Sequence, residues 1–359
     1  MPSGPPITQF ALLAAVLLLA VAVLALVNRE RRSRFARAAE PASAAPSGED
    51  DGRPPLPAVV ANPTKIAHLD GELAWLAQRA AELGWQRPLW LETRVDEPGT
   101  AAARTATAAG ARTVIAYGGD GTVRGVAAGL VRSPASLGIL PMGTGNLLAR
   151  NLGIPLANLD LAVEIALAGR ERRVDVGLLE IDVSGEDEQP AHDVFMVMAG
   201  LGFDAEVMAS VEPQLKRRVG WLAYVVAGAR RLRGRTTGVV LRMDGEEPIR
   251  RRVRSVIIGN CGTLTGGVEL MPLAMVDDGW LDIVVVAPRR LFQWGAVVLA
   301  VLSRAPTPGR RPIIEHFRCR TLEVRAERPL PIQLDGDPAG EARVLRAGLD
   351  HLGLNVRTL

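Results

Sequence analysis

The sequence is poor in the residue types that mark several common classes of protein. Its 359 residues include 2 cysteines and 4 histidines, all well separated along the chain. Two cysteines are too few for a disulfide framework, and scattered histidines give no zinc-ligand pattern. Aromatic residues amount to 4% of the chain, and no nucleic-acid-binding motif is present, so we predict no nucleic-acid partner.

Signatures of several common nucleotide-binding enzymes are also missing. There is no G-x-x-x-x-G-K-[ST] loop and no H-R-D segment, which excludes ordinary P-loop enzymes and protein kinases. A Rossmann fingerprint is incomplete, because Leu148 stands where its third glycine would be. The function must therefore be sought in the motifs that are present.

One long apolar run lies near the start of the chain. Residues 10–27 are eighteen consecutive apolar residues, which as a helix would measure ~27 Å, close to the thickness of a bilayer core. Five arginines follow it: Arg29, Arg31, Arg32, Arg34 and Arg37. We predict a transmembrane anchor over residues 1–30, in a single-pass protein of the cell membrane whose catalytic domains are cytoplasmic. Residues 31–56, rich in Ala, Pro, Ser and Gly, predict a flexible linker.

Strands and helices alternate over residues 57–175. Strands are predicted at 57–61, 88–93, 113–117 and 136–142, and helices at 69–83, 100–109, 147–152 and 159–168. This alternation is typical of a doubly wound, mostly parallel sheet. We therefore predict an α/β N-terminal domain over residues 57–175, with its ligand at the carboxyl ends of the strands.

The pattern after residue 174 favours strands. Apolar or β-branched runs occur at 174–183, 194–199, 236–243, 252–259, 281–287, 321–325 and 331–334, with helical stretches at 214–233 and 289–302. They predict a β-rich C-terminal domain over residues 176–359. The helix at 289–302 is too short to span a bilayer; core packing and an interfacial position both stay open.

Basic residues cluster in one acid-free stretch between residues 216 and 235. Its cations are Lys216, Arg217, Arg218, Arg230, Arg231, Arg233 and Arg235. We interpret the stretch as facing an anionic membrane surface, and a solvated helix face is the alternative.

Two glycine-rich turns, each between a predicted strand and a predicted helix, are the most informative feature of the chain. The first glycine turn comprises Gly118, Gly119, Asp120, Gly121 and Thr122, and the second comprises Gly143, Thr144, Gly145 and Asn146. Glycine lets the backbone approach a phosphate, and the following helix offers free N–H groups. The turns predict a nucleotide with its phosphates held between them. A bare Asp120 carboxylate would repel phosphate, so we predict that it binds a magnesium–nucleotide complex; a helix N-cap is the alternative.

These turns and their neighbouring motifs resemble the diacylglycerol kinase catalytic family of lipid kinases, relatives of sphingosine kinase, NAD kinase and 6-phosphofructokinase. The family's G-G-D-G turn is matched by residues 118–121, its N-P-x-[ST]-G opening by Asn62-Pro63-Thr64-Lys65, and its P-x-G-T-x-N-D-x-A-R segment by residues 141–150. Lys65 with Ile66 replaces the S-G pair, and Leu147 replaces the Asp of the N-D pair. The resemblance extends from residue 56 to the C-terminus. It implies ATP and Mg²⁺ as cofactors, with Asn62, Pro63 and Thr64 in the nucleotide site. It also implies that the C-terminal domain receives the lipid substrate and that its last strand returns to the first domain.

Acidic residues of the second domain complete the predicted site. The family's proton acceptor lies in an L-D-G-E segment, which Asp335 matches; Asp337 replaces the Glu and is a candidate metal ligand. A hairpin turn is the alternative interpretation. Asp277 and Asp278 match a D-D-G turn that helps to hold a structural magnesium in some relatives, or they form a solvated turn. Asp175 begins the crossover between the domains and is predicted to face the cleft.

These inferences predict a membrane-anchored, ATP- and magnesium-dependent lipid kinase that converts diacylglycerol to phosphatidate, with Asp335 as the base that deprotonates the lipid hydroxyl. One alternative is a kinase of another substrate, a sphingoid base or NAD. The other is a catalytically inactive nucleotide-binding membrane protein, for which Leu147 and Asp337 leave room. The predicted partners are a membrane lipid and an anionic membrane surface, and a homodimer is left open.

Overall fold

The first part of the chain is a parallel α/β unit. The computed structural model describes residues 53–66, 68–94, 96–186, 189–202, 236–264, 269–288, 293, 297 and 313–359. Its first elements are β1 (Pro57–Ala61), α1 (Leu69–Glu82), β2 (Leu89–Glu92), α2 (Thr100–Ala108), β3 (Thr113–Gly118), α3 (Asp120–Leu130), β4 (Ser136–Pro141), α4 (Leu147–Asn151) and α5 (Leu159–Ala168). The four strands pair in parallel in the order β2-β1-β3-β4.

Burial of the central strands explains why their sequences are almost continuously apolar. β1, β3 and β4 are buried along their whole length, as expected for parallel strands covered by helices. α3 packs on β3 and α5 packs on β4. Each helix turns an apolar stripe to the sheet, with Val126 and Leu130 buried on α3 and Val163 and Leu167 on α5. The result is a rigid platform whose strand ends carry the two glycine turns.

The second part of the chain is built from antiparallel strands. They are β5 (Arg170–Asp182), β6 (Ala191–Phe195), β7 (Met198–Leu201), β8 (Thr237–Met243), β9 (Ile249–Val253), β10 (Ser255–Gly259), β11 (Leu281–Val286), β12 (Ile314–Cys319), β13 (Leu322–Leu334) and β14 (Asp337–Thr358). The main path runs β12-β11-β10-β7-β13-β14, and β5, β6, β8 and β9 branch from it. The strands enclose a second apolar core that includes Phe195, Leu241, Ile283 and Leu334.

β14 joins the two parts of the molecule. It has 22 residues and pairs antiparallel with β13 near its start and with β5 along most of its length. Near its end, Asn355 and Val356 pair in parallel with Ser136 and Leu137 of β4. The sheet of the first domain therefore continues into the second domain through this strand.

The predicted fold class, an α/β domain followed by a β-rich domain, is confirmed. The runs at 321–325 and 331–334, predicted as two strands, belong to the single strand β13, and the run at 252–259 is shared between β9 and β10. β12 was not predicted, and for the last strand, β14, no residue range was predicted. The domain boundary predicted between residues 175 and 176 falls inside β5.

The predicted membrane localisation is corrected. No helix in the described part of the chain is long and apolar enough to cross a membrane. The longest of these helices, α1, has 14 residues, or about 21 Å, against the ~30 Å that a bilayer core requires. The predicted anchor (1–30), the basic stretch (216–235), the helix at 214–233 and most of the linker (31–56) and of the helix at 289–302 lie outside the described residues.

Asp175 is a fully buried carboxylate that ties three segments of backbone together. Its Oδ2 accepts a hydrogen bond from the Gly279 amide at 2.7 Å. Its Oδ1 accepts from the Leu352 amide and contacts His351 Nδ1, both at 2.7 Å. Leu352 has a positive φ of 52° and lies where β14 slips its register against β5, between Asp350 and Leu354. Asp175 was predicted to face the cleft; the structure instead uses it to hold this irregular part of β14 against the 276–279 segment.

We predict that Asp175→Asn lowers the free energy of unfolding by about 2–4 kcal/mol, because the amide offers one acceptor oxygen where two are used. Urea unfolding checks the prediction. Asp193→Asn is the control, since Asp193 is exposed and its loss should change stability by less than about 0.5 kcal/mol. Equal unfolding midpoints for Asp175→Asn and the wild type would contradict the role of Asp175.

Candidate nucleotide and acceptor site

The two glycine turns meet at the carboxyl ends of β3 and β4. The strands pair in register up to Gly118 and Pro141, and the Met142 amide then donates to the Gly118 carbonyl at 2.8 Å. A Cβ on Gly143 would lie 2.8 Å from the Cα of Gly119, which is closer than packed carbon atoms approach. The close backbone contact between the turns therefore requires glycine at position 143.

The Asp120 carboxylate connects the turns. It follows Gly119, the N-cap residue of α3, and its side chain reaches the second turn. Oδ2 accepts from the Asn146 amide at 2.9 Å and Oδ1 from the Leu147 amide at 2.5 Å. A Cβ on Gly145 would collide with Oδ2. Asp120 therefore caps α4 rather than the helix to which it belongs.

Burial raises the pKa of Asp120 to about 6. The hydrogen bonds from the Leu147 and Asn146 amides oppose the shift, and the nearby charges of Asp335 and Asp337 add to it. The three carboxylates are therefore close enough to influence one another. A cation or a proton in this cleft would relieve their repulsion.

Asn146 and Arg150 hold the shape of the second turn. Asn146 has a left-handed backbone (φ 47°); its Oδ1 accepts from the Gly143 amide at 2.9 Å and its Nδ2 donates to the Gly143 carbonyl at 2.7 Å. Arg150 Nε donates to the Gly145 carbonyl at 2.7 Å. Thr144 is exposed at the rim of the turn, and Thr122 is buried.

Asn62, Pro63 and Thr64 lie on the same edge of the sheet. The Asn62 amide donates to the Tyr117 carbonyl at 3.1 Å, which places the end of β1 beside the end of β3. Asn62 Oδ1 accepts from the amide and the hydroxyl of Thr64, at 3.0 and 2.7 Å, and so caps the short 3-10 helix Pro63–Lys65. The structure thus brings all three predicted nucleotide-binding segments to one rim.

Residues 334–337, which we call the acceptor turn, face this rim from the second domain. Asp335 has a φ of 50° and is 4% exposed. Its Oδ2 accepts from the Met196 amide at 3.0 Å, and its Oδ1 from the Val197 and Met198 amides at 2.8 and 3.0 Å. Burial raises the pKa of Asp335, while Arg124 and the three amides oppose the shift.

Asp337 differs from Asp335 in its surroundings. It is exposed, and in the described part of the chain no hydrogen bond or ion pair engages its carboxylate. A Cβ on Gly121 would lie 3.0 Å from Asp337 Oδ2, so the carboxylate is positioned directly over the first glycine turn. The acceptor turn thus presents one buried and one open carboxylate to the cleft.

Two arginines of the site were not predicted. Arg150 belongs to the quoted A-R segment but was given no role. Arg124, on α3, donates from Nη1 to the Leu334 carbonyl at 2.6 Å. Its spacing of four residues from Asp120, which places both on one face of α3, was the available signal.

The D-D-G turn lies outside this cluster of acids. Asp277 accepts from Nε and Nη2 of Arg172 at 2.9 and 2.6 Å, and Asp278 forms an ion pair with Arg318 at 2.5 Å. Arginines therefore neutralise both predicted ligands of a structural magnesium, and these residues do not fit a metal. Across the described residues, no group of three His, Cys, Asp or Glu side chains could hold a metal ion.

Two protein families match successive parts of the chain. The diacylglycerol kinase catalytic domain matches residues 59–179, which include both glycine turns. The YegS C-terminal NAD kinase beta sandwich-like domain matches residues 197–348, which include the acceptor turn. The two matches adjoin across β5 and β6, where the parallel sheet gives way to the antiparallel one.

Curated relatives match over most of their length. A protein named "Probable lipid kinase YegS-like" from Chromohalobacter salexigens is 33% identical over 255 residues, covering 67% of this chain and 74% of the relative. One of the same name from Pseudomonas aeruginosa is 34% identical over 261 residues, covering 70% and 78%. The crystal structure of a diacylglycerol kinase from Bacillus anthracis superposes with a TM-score of 0.66 at 22% identity, covering 85% of this chain and 97% of that one. The structural likeness supports the fold.

We predict that Gly145→Ala weakens ATP binding by at least ~10-fold, because the added Cβ would push the Asp120 carboxylate off the Asn146 and Leu147 amides. Isothermal titration with ATP measures the effect. Gly348→Ala is the matched control, because a Cβ there meets no atom within 4 Å and ATP affinity should not change. Unchanged affinity in Gly145→Ala would mean that Asp120 does not shape the nucleotide site.

Proposed function

The chain belongs to the diacylglycerol kinase catalytic-domain family and is a lipid kinase, and on that premise we propose that it phosphorylates diacylglycerol with ATP to give phosphatidate. The observation that carries the proposal is the meeting of the two glycine turns beneath the acidic acceptor turn. Phosphoryl transfer needs groups that bind the nucleotide phosphates on one side of a cleft and a group that takes the proton of the acceptor hydroxyl on the other. The two domains supply these separately.

The first domain would hold the ATP phosphates. The first turn of α3 has no side-chain cap, so its amides and the positive end of this 11-residue helix are open to an anion. The contact between Gly119 and Gly143 leaves no side chain between the two turns. Asn62 and Thr64, at the neighbouring strand end, would border the nucleotide on the same rim.

Asp337 and Asp120 are the residues that would hold Mg²⁺. An exposed carboxylate with free oxygens over a phosphate turn fits this ion, which uses one or two protein carboxylates together with phosphate oxygens and water. The ion would neutralise phosphate charge as it develops during transfer. Asp337 stands where the family usually has Glu. Because Asp carries the same ligand group on a shorter side chain, the replacement keeps a carboxylate available for the ion.

Asp335 would accept the proton of the lipid hydroxyl. An ionised carboxylate can accept about four hydrogen bonds, and three backbone amides reach Asp335, so one position, on Oδ2, is left. Burial raises the pKa of Asp335, which makes it a better proton acceptor than a solvated Asp. The amides would hold its orientation while the proton moves.

A panel of acceptors tests the substrate. Purified protein with labelled ATP and Mg²⁺ is offered diacylglycerol in mixed micelles, a sphingoid base, or NAD, and phosphorylated product is quantified. We expect kcat/KM to be highest for diacylglycerol. Preference for the sphingoid base or NAD would refute the assignment of the substrate, and ATP binding without any product would favour a catalytically inactive nucleotide-binding protein.

Replacement of the two acids of the acceptor turn should have different consequences. Asp335→Asn should lower kcat by ~10²-fold or more and also the free energy of unfolding by about 1–3 kcal/mol, because its amide nitrogen cannot accept from the 196–198 backbone. Asp337→Asn should lower turnover with unchanged stability. Single-turnover phosphorylation and thermal melting on the same samples separate the effects. A stable, fully active Asp335→Asn would contradict both roles of Asp335.

A further inference from the structure

We propose that Arg124 is a positioning residue of this lipid kinase, which holds the acceptor turn at the correct height over the first glycine turn. The inference rests on the proposed function of the acceptor turn. Arg124 lies outside the G-G-D-G motif, which assigns it no role. Arg124 lies on α3, four residues after Asp120, and therefore points to the same side of the helix.

Arg124 connects two parts of the site that otherwise belong to different domains. Its Nη1 donates to the Leu334 carbonyl at 2.6 Å, in the peptide unit that leads directly into Asp335. The three amides that orient the Asp335 carboxylate come from residues 196–198 of the second domain. They fix the position of Asp335 within the second domain. They do not fix its distance from the glycine turns that would hold the phosphates. Among the described residues, no other hydrogen bond joins α3 to the acceptor turn.

The environment of Arg124 is unusual for an arginine. It is partly buried and lies four residues after Asp120 on α3, yet no carboxylate among the described residues forms an ion pair with it. A partly buried guanidinium that donates to a backbone carbonyl fixes a geometry rather than neutralising one partner. Its charge nevertheless lowers the pKa of Asp335, consistent with close approach.

Such a contact matters because phosphoryl transfer depends on placement. A shift of about 1 Å in a reacting group can cost ~10²-fold in rate. The acceptor turn is the tip of the hairpin formed by the long strands β13 and β14, and a small change in hairpin inclination moves the tip over the phosphates. Arg124 restrains that tip from the first domain.

Kinetic constants of three substitutions test the proposal with whichever lipid of the panel the wild type phosphorylates. Arg124→Met should lower kcat by ~30-fold or more and leave KM for ATP within about threefold, because the nucleotide turns keep their own contacts. Arg124→Lys, which retains a donor and the charge, should recover most of the rate, and Arg124→Gln should lie between them. Arg104→Met, at an exposed position of α2, is the control and should behave as wild type.

The outcomes are distinguishable. A wild-type kcat in folded Arg124→Met would overturn the proposal. A decrease in kcat that simply parallels the decrease in melting temperature across the three variants would also overturn it. If Arg124→Met does not fold, kcat of Arg124→Lys is compared with kcat of Arg124→Gln at equal stability. Equal kcat values in these two variants would overturn the proposal. A wild type that phosphorylates no acceptor would instead refute the proposed function.

Discussion

The carboxylate of Asp120 is the constraint on which the nucleotide side of the molecule depends. It links two turns that are separate in sequence by accepting the Asn146 and Leu147 amides, and it requires glycine at position 145 to do so. A buried charge is costly unless it is fully hydrogen-bonded. The two amides offset part of that cost, and the pKa of Asp120 nevertheless stays raised. In this chain the Asp of the G-G-D-G turn therefore has a structural role.

The acids of this chain divide according to burial. Asp175 and Asp335 are buried, and each organises three donors from distant segments, so that both act as tie points for irregular backbone. Asp277 and Asp278 are neutralised by arginines. Asp337 is the one predicted acid whose carboxylate forms no hydrogen bond or ion pair in the described part of the chain. Burial and partners, rather than residue type, therefore distinguish structural carboxylates from those available for chemistry.

The sequence predicted the α/β part of the fold well because its signals are local. Continuous apolar strands, ten-residue helices and glycine at their junctions mark β1 to α5 within a few residues. The residue range of β14 was missed because its many charged residues and internal glycines obscure the alternation of buried and exposed positions. Asp335 and Asp337 were found through a resemblance, but their different burial depends on residues 196–198, more than 130 positions away. The role of Asp175 depends on similarly distant partners, which no local pattern encodes.

The path of β14 has a consequence for how the protein is made. The segment of β14 that continues the sheet beside β4 comprises residues 355 and 356, which are synthesised more than 200 residues after β4. The first domain therefore emerges from the ribosome with β4 as an unpaired edge, the kind of surface that invites aggregation. Its sheet is completed only when this segment of β14 pairs with β4 across more than 200 residues, a pairing of high contact order. Although the two domains differ in architecture, the sheet of the first domain is therefore complete only after the strands of the second domain have been synthesised.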